Sequence, residues 1–134
     1  MLIEKIDYKD YNGNSRTATL HFNLSKAECM ELEMIYGGLQ EYLQKLVDEH
    51  ENEKLVMFFK NFILKGYGEK SEDGKYFRKS KERSEDFAST EAYSELFMKL
   101  ISDQEYMKNF FVNMLPEDYR PGENDDIPVL TAAE

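Results

Sequence analysis

The sequence has few of the residues from which proteins build reactive centres. Its 134 residues include one cysteine, Cys29, and two histidines, His21 and His50. A single cysteine excludes an intramolecular disulfide and a metal site made only of thiolates. Neither histidine lies at metal-ligand spacing from the other or from Cys29. Because Cys29 stands in a helix-like stretch, we expect it to be a buried structural thiol and not a nucleophile.

Catalytic motifs are also missing. The chain contains no G-x-S-x-G elbow, no phosphate-binding glycine loop and no H-E-x-x-H helix. The segment around Asp73-Gly74 is spaced like the start of an EF-hand, but Ser80 stands where the bidentate glutamate is required. No carboxylate lies in an apolar setting that would raise its pKa. We therefore predict no catalytic residue, no cofactor and no metal.

Long apolar runs are absent, and negative charge dominates. No stretch reaches the roughly 18 apolar residues of a membrane span, and the charges in MLIEKIDYKD argue against a secretory signal. A cytoplasmic location is the default expectation. The net charge of −10 argues against direct binding to nucleic acid, because phosphates would be repelled.

The charge is unevenly distributed along the chain. Residues 117–134 include six acidic residues and one basic residue, which is half of the net charge of −10. Six basic residues fall within 70–83. We predict a charged loop at 67–80, which forms a small hairpin or an ordered loop around Asp73-Gly74, and a flexible acidic tail at 117–134. Both are most simply solvated segments.

Two segments near the N-terminus alternate like β-strands. Between Arg16 and Leu24, apolar side chains occupy every second position, and Leu2 to Tyr8 forms a second candidate strand. The Asn12-Gly13 pair between them provides the positive φ of a tight turn. The sequence thus predicts a β-hairpin at 1–24, whose apolar face needs cover from the helices that follow.

Five amphipathic helical segments are predicted after the hairpin. The first begins at a capping box of Ser25 and Glu28, and its apolar positions include Ala27, Met30, Met34 and Ile35. Gly37-Gly38 breaks this helix or bends it sharply before the second segment. The remaining apolar stripes fall at 39–47, 55–63, 92–101 and 106–115.

Three further signals mark helix ends. Gly66 stands where a C-terminal cap belongs, Ser102 and Glu105 form a second capping box, and Pro116 ends the last stripe. The predicted fold class is α+β, mainly α. We expect one globular domain at 1–116, followed by the acidic tail.

The phenylalanine, tyrosine and methionine stripes are first of all candidate core. The adjacent pairs Phe58-Phe59 and Phe110-Phe111 nevertheless widen their stripes, because neighbouring helical residues point about 100° apart. A widened stripe can serve a second neighbour, and faces rich in methionine and aromatic residues suit adaptable binding grooves. The composition therefore favours a protein that binds another protein.

The segments YGEKSEDGKYFRKS (67–80) and TEAYSELFMKLISD (90–103) resemble small proteins encoded in the structural gene clusters of tailed bacteriophages. These proteins are regarded as tail assembly chaperones, and the resemblance spans about 55–116. It implies binding to the tape measure protein, a very long and largely helical polypeptide. The chaperone keeps that polypeptide soluble until tail tube subunits polymerise around it, in the host cytoplasm.

Two other functions remain open. An acidic inhibitor of a host defence protein or a nucleic-acid-binding protein would bind a basic site, and salt would weaken that binding steeply. A structural connector or tail subunit would self-assemble and reside in the virion. Self-association is open in each case, whereas contact with nucleic acid or a membrane is not expected.

The partner-binding residues are predicted from the charged loop and the last helix. They are Tyr67, Lys70, Phe77, Arg78, Lys79, Phe110 and Phe111. Because loop residues are usually solvated, we expect joint replacement of Lys70, Arg78 and Lys79 by serine to change the free energy of unfolding by less than about 1 kcal/mol.

Overall fold

A four-stranded antiparallel sheet and six α-helices make up residues 1–120, the part of the chain that the computed structural model describes. The strands are β1 (Leu2–Lys9), β2 (Ser15–Phe22), β3 (Tyr67–Lys70) and β4 (Phe77–Arg78), in the spatial order β1-β2-β3-β4. The helices are α1 (Lys26–Tyr36), α2 (Leu39–Asp48), α3 (Asn52–Gly66), α4 (Lys81–Ala88), α5 (Glu91–Ser102) and α6 (Gln104–Met114). This confirms the α+β, mainly helical class.

The N-terminal hairpin has the predicted alternation. Leu20 and Phe22 of β2 are buried, whereas Thr17 and Thr19 are exposed. Gly13 has a φ of 84°. The Asp10 carboxylate accepts hydrogen bonds from the N–H groups of Asn12 and Asn14 and so closes the turn. The turn and the alternation of the hairpin therefore form as predicted.

The predicted loop at 67–80 is a second hairpin that joins the sheet. Within it, Glu69 pairs with Arg78, and Phe22 of β2 pairs with Tyr67 of β3. A Cβ at Gly68 would lie 2.7 Å from the Phe77 ring, so the hairpin closes tightly there. A small hairpin was one of the two structures that the turn residues indicated, but its pairing with β2 was not.

Helix α4 was not predicted. Its first turn is capped by Ser80, whose hydroxyl accepts from the Arg83 N–H, and Phe87 is the buried residue of the helix. Eight residues with a single buried side chain give no apolar periodicity. The structure therefore has six helices within residues 1–120, against the five that were predicted.

The helix-end signals have mixed outcomes. The Ser25–Glu28 capping box forms as predicted, and Gly37 caps α1 with a φ of 67°. Gly38 follows with a φ of 104°, so the Gly-Gly pair ends the helix and does not merely bend it. The second capping box was wrong by one residue, because Asp103 accepts from the Tyr106 N–H and caps α6. Ser102 instead donates to the Lys99 carbonyl.

Gly66 is a packing residue and not a cap, which corrects the sequence interpretation. It is the last residue of α3 and is buried. The residue after it, Tyr67, is extended. A Cβ at Gly66 would overlap Sδ of Met114 on α6, so glycine lets the two helices approach each other.

We expect Gly66→Ala to lower the free energy of unfolding by about 1–3 kcal/mol, because the added methyl group over-packs the contact with Met114. Chemical denaturation measures this loss. Asn61→Ala, on the exposed surface of the same helix, is the matched control and should be neutral or stabilising. If both variants are neutral, the close contact does not limit stability.

One apolar core unites the sheet and the helices. It includes Leu2 and Ile6 of β1, Phe22 of β2, Ile63 of α3 and Leu96 of α5. No polar or charged residue is buried within residues 1–120. The longest helix has 15 residues, and none in this part of the chain has the length and apolarity needed to cross a membrane.

The start of the predicted tail is folded. Glu117–Tyr119 forms a 3-10 turn, and Tyr119 packs against the core. Lys26 of α1 pairs with Asp118 at 2.6 Å, and Arg120 Nε donates to the Leu115 carbonyl. The rest of the predicted tail, 121–134, lies outside the described residues, so the division at residue 116 stays a prediction.

Candidate protein-binding surface

Cys29 and Asp73, two side chains considered above for chemistry, have structural roles. Cys29 is 2% exposed, and burial raises the pKa of its thiol. The Asp73 carboxylate accepts from the Ser71 hydroxyl and from the Lys75 N–H, so it shapes a turn. Residues 1–120 hold no cluster of three histidine, cysteine or acidic side chains that could bind a metal. The surfaces are therefore the place to look for function.

Helix α1 is apolar on two opposite faces. Cys29 and Leu32 are buried, and Tyr36 packs against the core. The opposite face consists of Ala27, Met30, Met34 and Ile35, here called the methionine face. Met30, Met34 and Ile35 are 50%, 76% and 71% exposed, and Ala27 is exposed too. The expectation that this stripe would be core is therefore wrong.

Sequence spacing could not separate the two faces of α1. Leu32 and Tyr36 follow Cys29 by three and seven residues, and Met30 and Met34 follow Ala27 by the same intervals. Both sets satisfy the rule for a helix face. They are offset by two residues, which is about 200° around the helix. The repeated spacing was the available signal that one face would remain outside.

A groove of about 370 Å³ lies where α1, α2 and α3 meet. Tyr36, Tyr42 and Phe58 line it, with the two tyrosine rings 4.6 Å apart. The charged residues Glu51, Glu53 and Lys54 also line the groove, and Lys54 lies 3.9 Å from the Glu51 carboxylate. The groove therefore combines aromatic side chains with charges of both signs, and Tyr36 connects it to the C-terminal turn of α1.

Four of the predicted partner-binding residues lie together on the β3–β4 hairpin. Lys70 and Arg78 are exposed, and the Arg78 guanidinium lies 5.2 Å from the centre of the Tyr76 ring. Tyr67 and Phe77 are half-buried. The Tyr67 ring stacks on Phe87 at 4.3 Å, so Lys70 and Arg78 are the most accessible of the four.

Lys79 belongs to a part-buried network and not to a solvated loop. Its Nζ lies 2.8 and 2.9 Å from the two carboxylate oxygens of Glu28 and 2.6 Å from the Asn23 carbonyl. Glu28 also accepts from the Ser25 N–H in the capping box of α1. The expectation that replacing Lys79 would leave stability nearly unchanged is therefore not compatible with these contacts.

The electrostatics of this network favour the charged pair. Burial alone would raise the pKa of the Glu28 carboxyl, but the hydrogen bonds from Lys79 and Ser25 outweigh it, and the pKa lies below its ordinary value. Burial lowers the pKa of Lys79, and the bond to Glu28 opposes that effect. The carboxylate therefore helps to keep the part-buried lysine charged.

Phe110 and Phe111 lie in the core on α6. They are 1% and 8% exposed. The Phe110 ring meets Phe22 at 5.0 Å, and the Phe111 ring meets Phe59 at 5.0 Å. Contact between these rings and a partner would require α6 to move away from the core. Their role in partner binding stays a prediction.

A family model described as phage tail assembly chaperone matches residues 1–126. The chain belongs to the phage tail assembly chaperone family. The match includes the N-terminal hairpin and α1, and thus extends well beyond the segment that carried the sequence resemblance. No curated protein and no solved structure matches the chain. Membership of this chaperone family indicates a non-enzymatic role in phage assembly with a protein as the partner.

Proposed function

We propose that this chaperone binds apolar helices of the tape measure protein through the methionine face and keeps that protein soluble in the host cytoplasm until the tail tube assembles. The observation that carries the proposal is the exposure of Met30, Met34 and Ile35 on a helix whose other face is fixed in the core. A helix held in this way presents its outer face in a defined orientation.

The chemistry of the methionine face suits a partner with many similar helices. Methionine has three rotatable bonds and a polarisable sulfur, so it adapts to irregular apolar surfaces. An amphipathic partner helix can lay its apolar stripe on such a face. A long protein with repeated apolar stripes offers many sites of this kind, and several copies of the chaperone can cover them.

The acidic charge supports the same role. A chain with a net charge of −10 adds negative charge to whatever it covers, and net charge far from zero keeps proteins apart in solution. We assign Lys70 and Arg78 of the second hairpin an accessory contact with acidic positions on the partner. Tyr67, Phe77 and Lys79 support that hairpin from within.

The test is the affinity for a purified fragment of the tape measure protein. Replacing both Met30 and Met34 by glutamine should weaken binding by about ten-fold or more, because the complex then buries two fewer apolar side chains. Glutamine matches methionine in helix propensity, so circular dichroism should show an intact fold. Met98→Gln on α5, where Met98 is 56% exposed, is the matched control and should bind like wild type.

Equal affinity of the double variant and wild type would contradict the proposal. A salt series separates it from the alternatives. Apolar contacts are not screened, so binding should change little as salt rises, whereas an acidic inhibitor would lose affinity steeply. Stable rings formed without any partner would instead favour a structural connector.

A further inference from the structure

The outer edge of β1 is open. In the spatial order β1-β2-β3-β4, β1 has β2 on one side and no strand on the other within residues 1–120. The strand is eight residues long, and an edge of that length presents a row of backbone donors and acceptors to a further strand. On the core face of the strand, Leu2 and Ile6 are buried, and Tyr106 of α6 donates to the Glu4 carboxylate.

Two hydrogen bonds fix which residues face this edge. Asp10 N donates to the Asn14 carbonyl at the end of the β1–β2 register. Because bonded and non-bonded pairs alternate in an antiparallel ladder, the even-numbered residues of β1 bond to β2. Asn23 N donates to the Gly66 carbonyl on the other side of β2, which agrees with that phase. The odd-numbered residues Ile3, Lys5, Asp7 and Lys9 therefore turn their backbone groups to the open edge.

The charges along this edge are self-complementary in one register. If a second copy pairs antiparallel with the two-fold axis at Ile6, Lys5 lies opposite Asp7 of the other copy, and Asp7 lies opposite its Lys5. Residues 3–9 then overlap, and the two oppositely charged pairs lie on the exposed face of the sheet.

The other registers of the same hydrogen-bonding phase are less favourable. An axis at Ile3 or Glu4 brings no oppositely charged side chains opposite each other, and the axis at Glu4 also places two glutamates together. An axis at Lys5 places two copies of Lys5 opposite each other, and an axis at Asp7 does the same with two aspartates, which destabilises the pairing. An axis at Tyr8 restores oppositely charged pairs but overlaps only residues 7–9. The sequence of the edge thus favours a single arrangement.

We infer that β1 is a self-association surface, on which a second copy of this chain pairs antiparallel about Ile6 and extends the sheet to eight strands. This surface is separate from the methionine face, so the chaperone can bind its partner and a second copy at once. The inference does not depend on which protein the methionine face binds.

Two single variants and their mixture test the pairing by sedimentation at low salt. Lys5→Asp makes both edge positions acidic, and Asp7→Lys makes both basic. Each variant should self-associate about ten-fold or more weakly than wild type, because each complementary pair becomes a like-charged one. An equimolar mixture should associate about as strongly as wild type, since every acidic position then meets a basic one.

Hydrogen exchange of the wild-type chain provides a second measurement that needs no variant. Raising the protein concentration should slow exchange at the amides of Lys5 and Asp7, which face the edge. The amides of Glu4 and Ile6, already bonded to β2, should not change. The double variant with Met30→Gln and Met34→Gln should associate like wild type.

Three results of the sedimentation experiments would overturn the inference. They are a wild-type chain that remains monomeric at its highest soluble concentration, single variants that associate as strongly as wild type, and a mixture of the two that fails to regain association. Exchange at Lys5 and Asp7 that is independent of concentration would do the same. Loss of association in the methionine variant would move the contact to α1.

Discussion

Phe22→Ala should lower the free energy of unfolding by about 3–5 kcal/mol. The Phe22 ring is 0% exposed. It meets the rings of Tyr67, Phe87 and Phe110 edge-on, with centroids 5.9, 5.9 and 5.0 Å away. These residues belong to β3, α4 and α6, so the cavity left by the substitution would loosen three elements at once.

Phe97→Ala is the matched control for this prediction. Phe97 on α5 is half-buried, so the same truncation removes fewer contacts and leaves a site that water can fill. Urea denaturation of both variants gives the two losses from their midpoints. Equal losses, or a loss below about 1 kcal/mol for Phe22→Ala, would show that the core is not centred on this ring.

Lys79→Ala should lower the free energy of unfolding by about 2–3 kcal/mol, because charged hydrogen bonds to Glu28 and to a carbonyl are lost together. The side chains of Lys79 and Glu28 are 20% and 24% exposed, so solvent only partly replaces these bonds. The variant also loosens Glu28, whose carboxylate completes the Ser25 capping box of α1. Lys81→Ala is the matched control, since Lys81 is 91% exposed and should change stability by less than about 0.5 kcal/mol.

The stability difference between wild type and Lys79→Ala should depend on pH. The folded pKa of Glu28 lies below its ordinary value of 4.5. Its contribution is therefore fully present above pH 4.5 and is lost as pH falls through the folded pKa. Denaturation at neutral and acidic pH measures this change. A difference that stays constant on acidification would mean that the Glu28 charge does not stabilise the fold.

The sequence predicted those elements that are determined by residues close together in the chain. The alternation in β2, the Asn12-Gly13 turn and the Ser25 capping box each depend on residues a few positions apart, and each forms. Helix α4 has one buried residue and so has no period to detect. The pairing of β2 with β3 joins residues more than 40 positions apart, so no local pattern indicates it.

The candidate surface could be predicted even less from local sequence signals. Two equally spaced apolar faces on α1 satisfy one rule, and only the rest of the fold decides that Cys29 and Leu32 go inside and Met30 and Met34 stay outside. The packing role of Gly66 could likewise not be predicted, because it depends on Met114, which is far away in the sequence but close in the fold. Lys79 appeared to be a loop cation because its acceptors, Glu28 and the Asn23 carbonyl, lie more than 50 residues away.

The most direct test is a methyl NMR spectrum of chain labelled at its seven methionines, recorded with and without a tape measure fragment. We predict that the Met30 and Met34 signals shift or broaden on binding. Met98 on the surface and Met114 in the core, which is 0% exposed, should not change. Binding that leaves Met30 and Met34 unchanged, or that moves Met114 through an opening of α6, would contradict the central role of the methionine face.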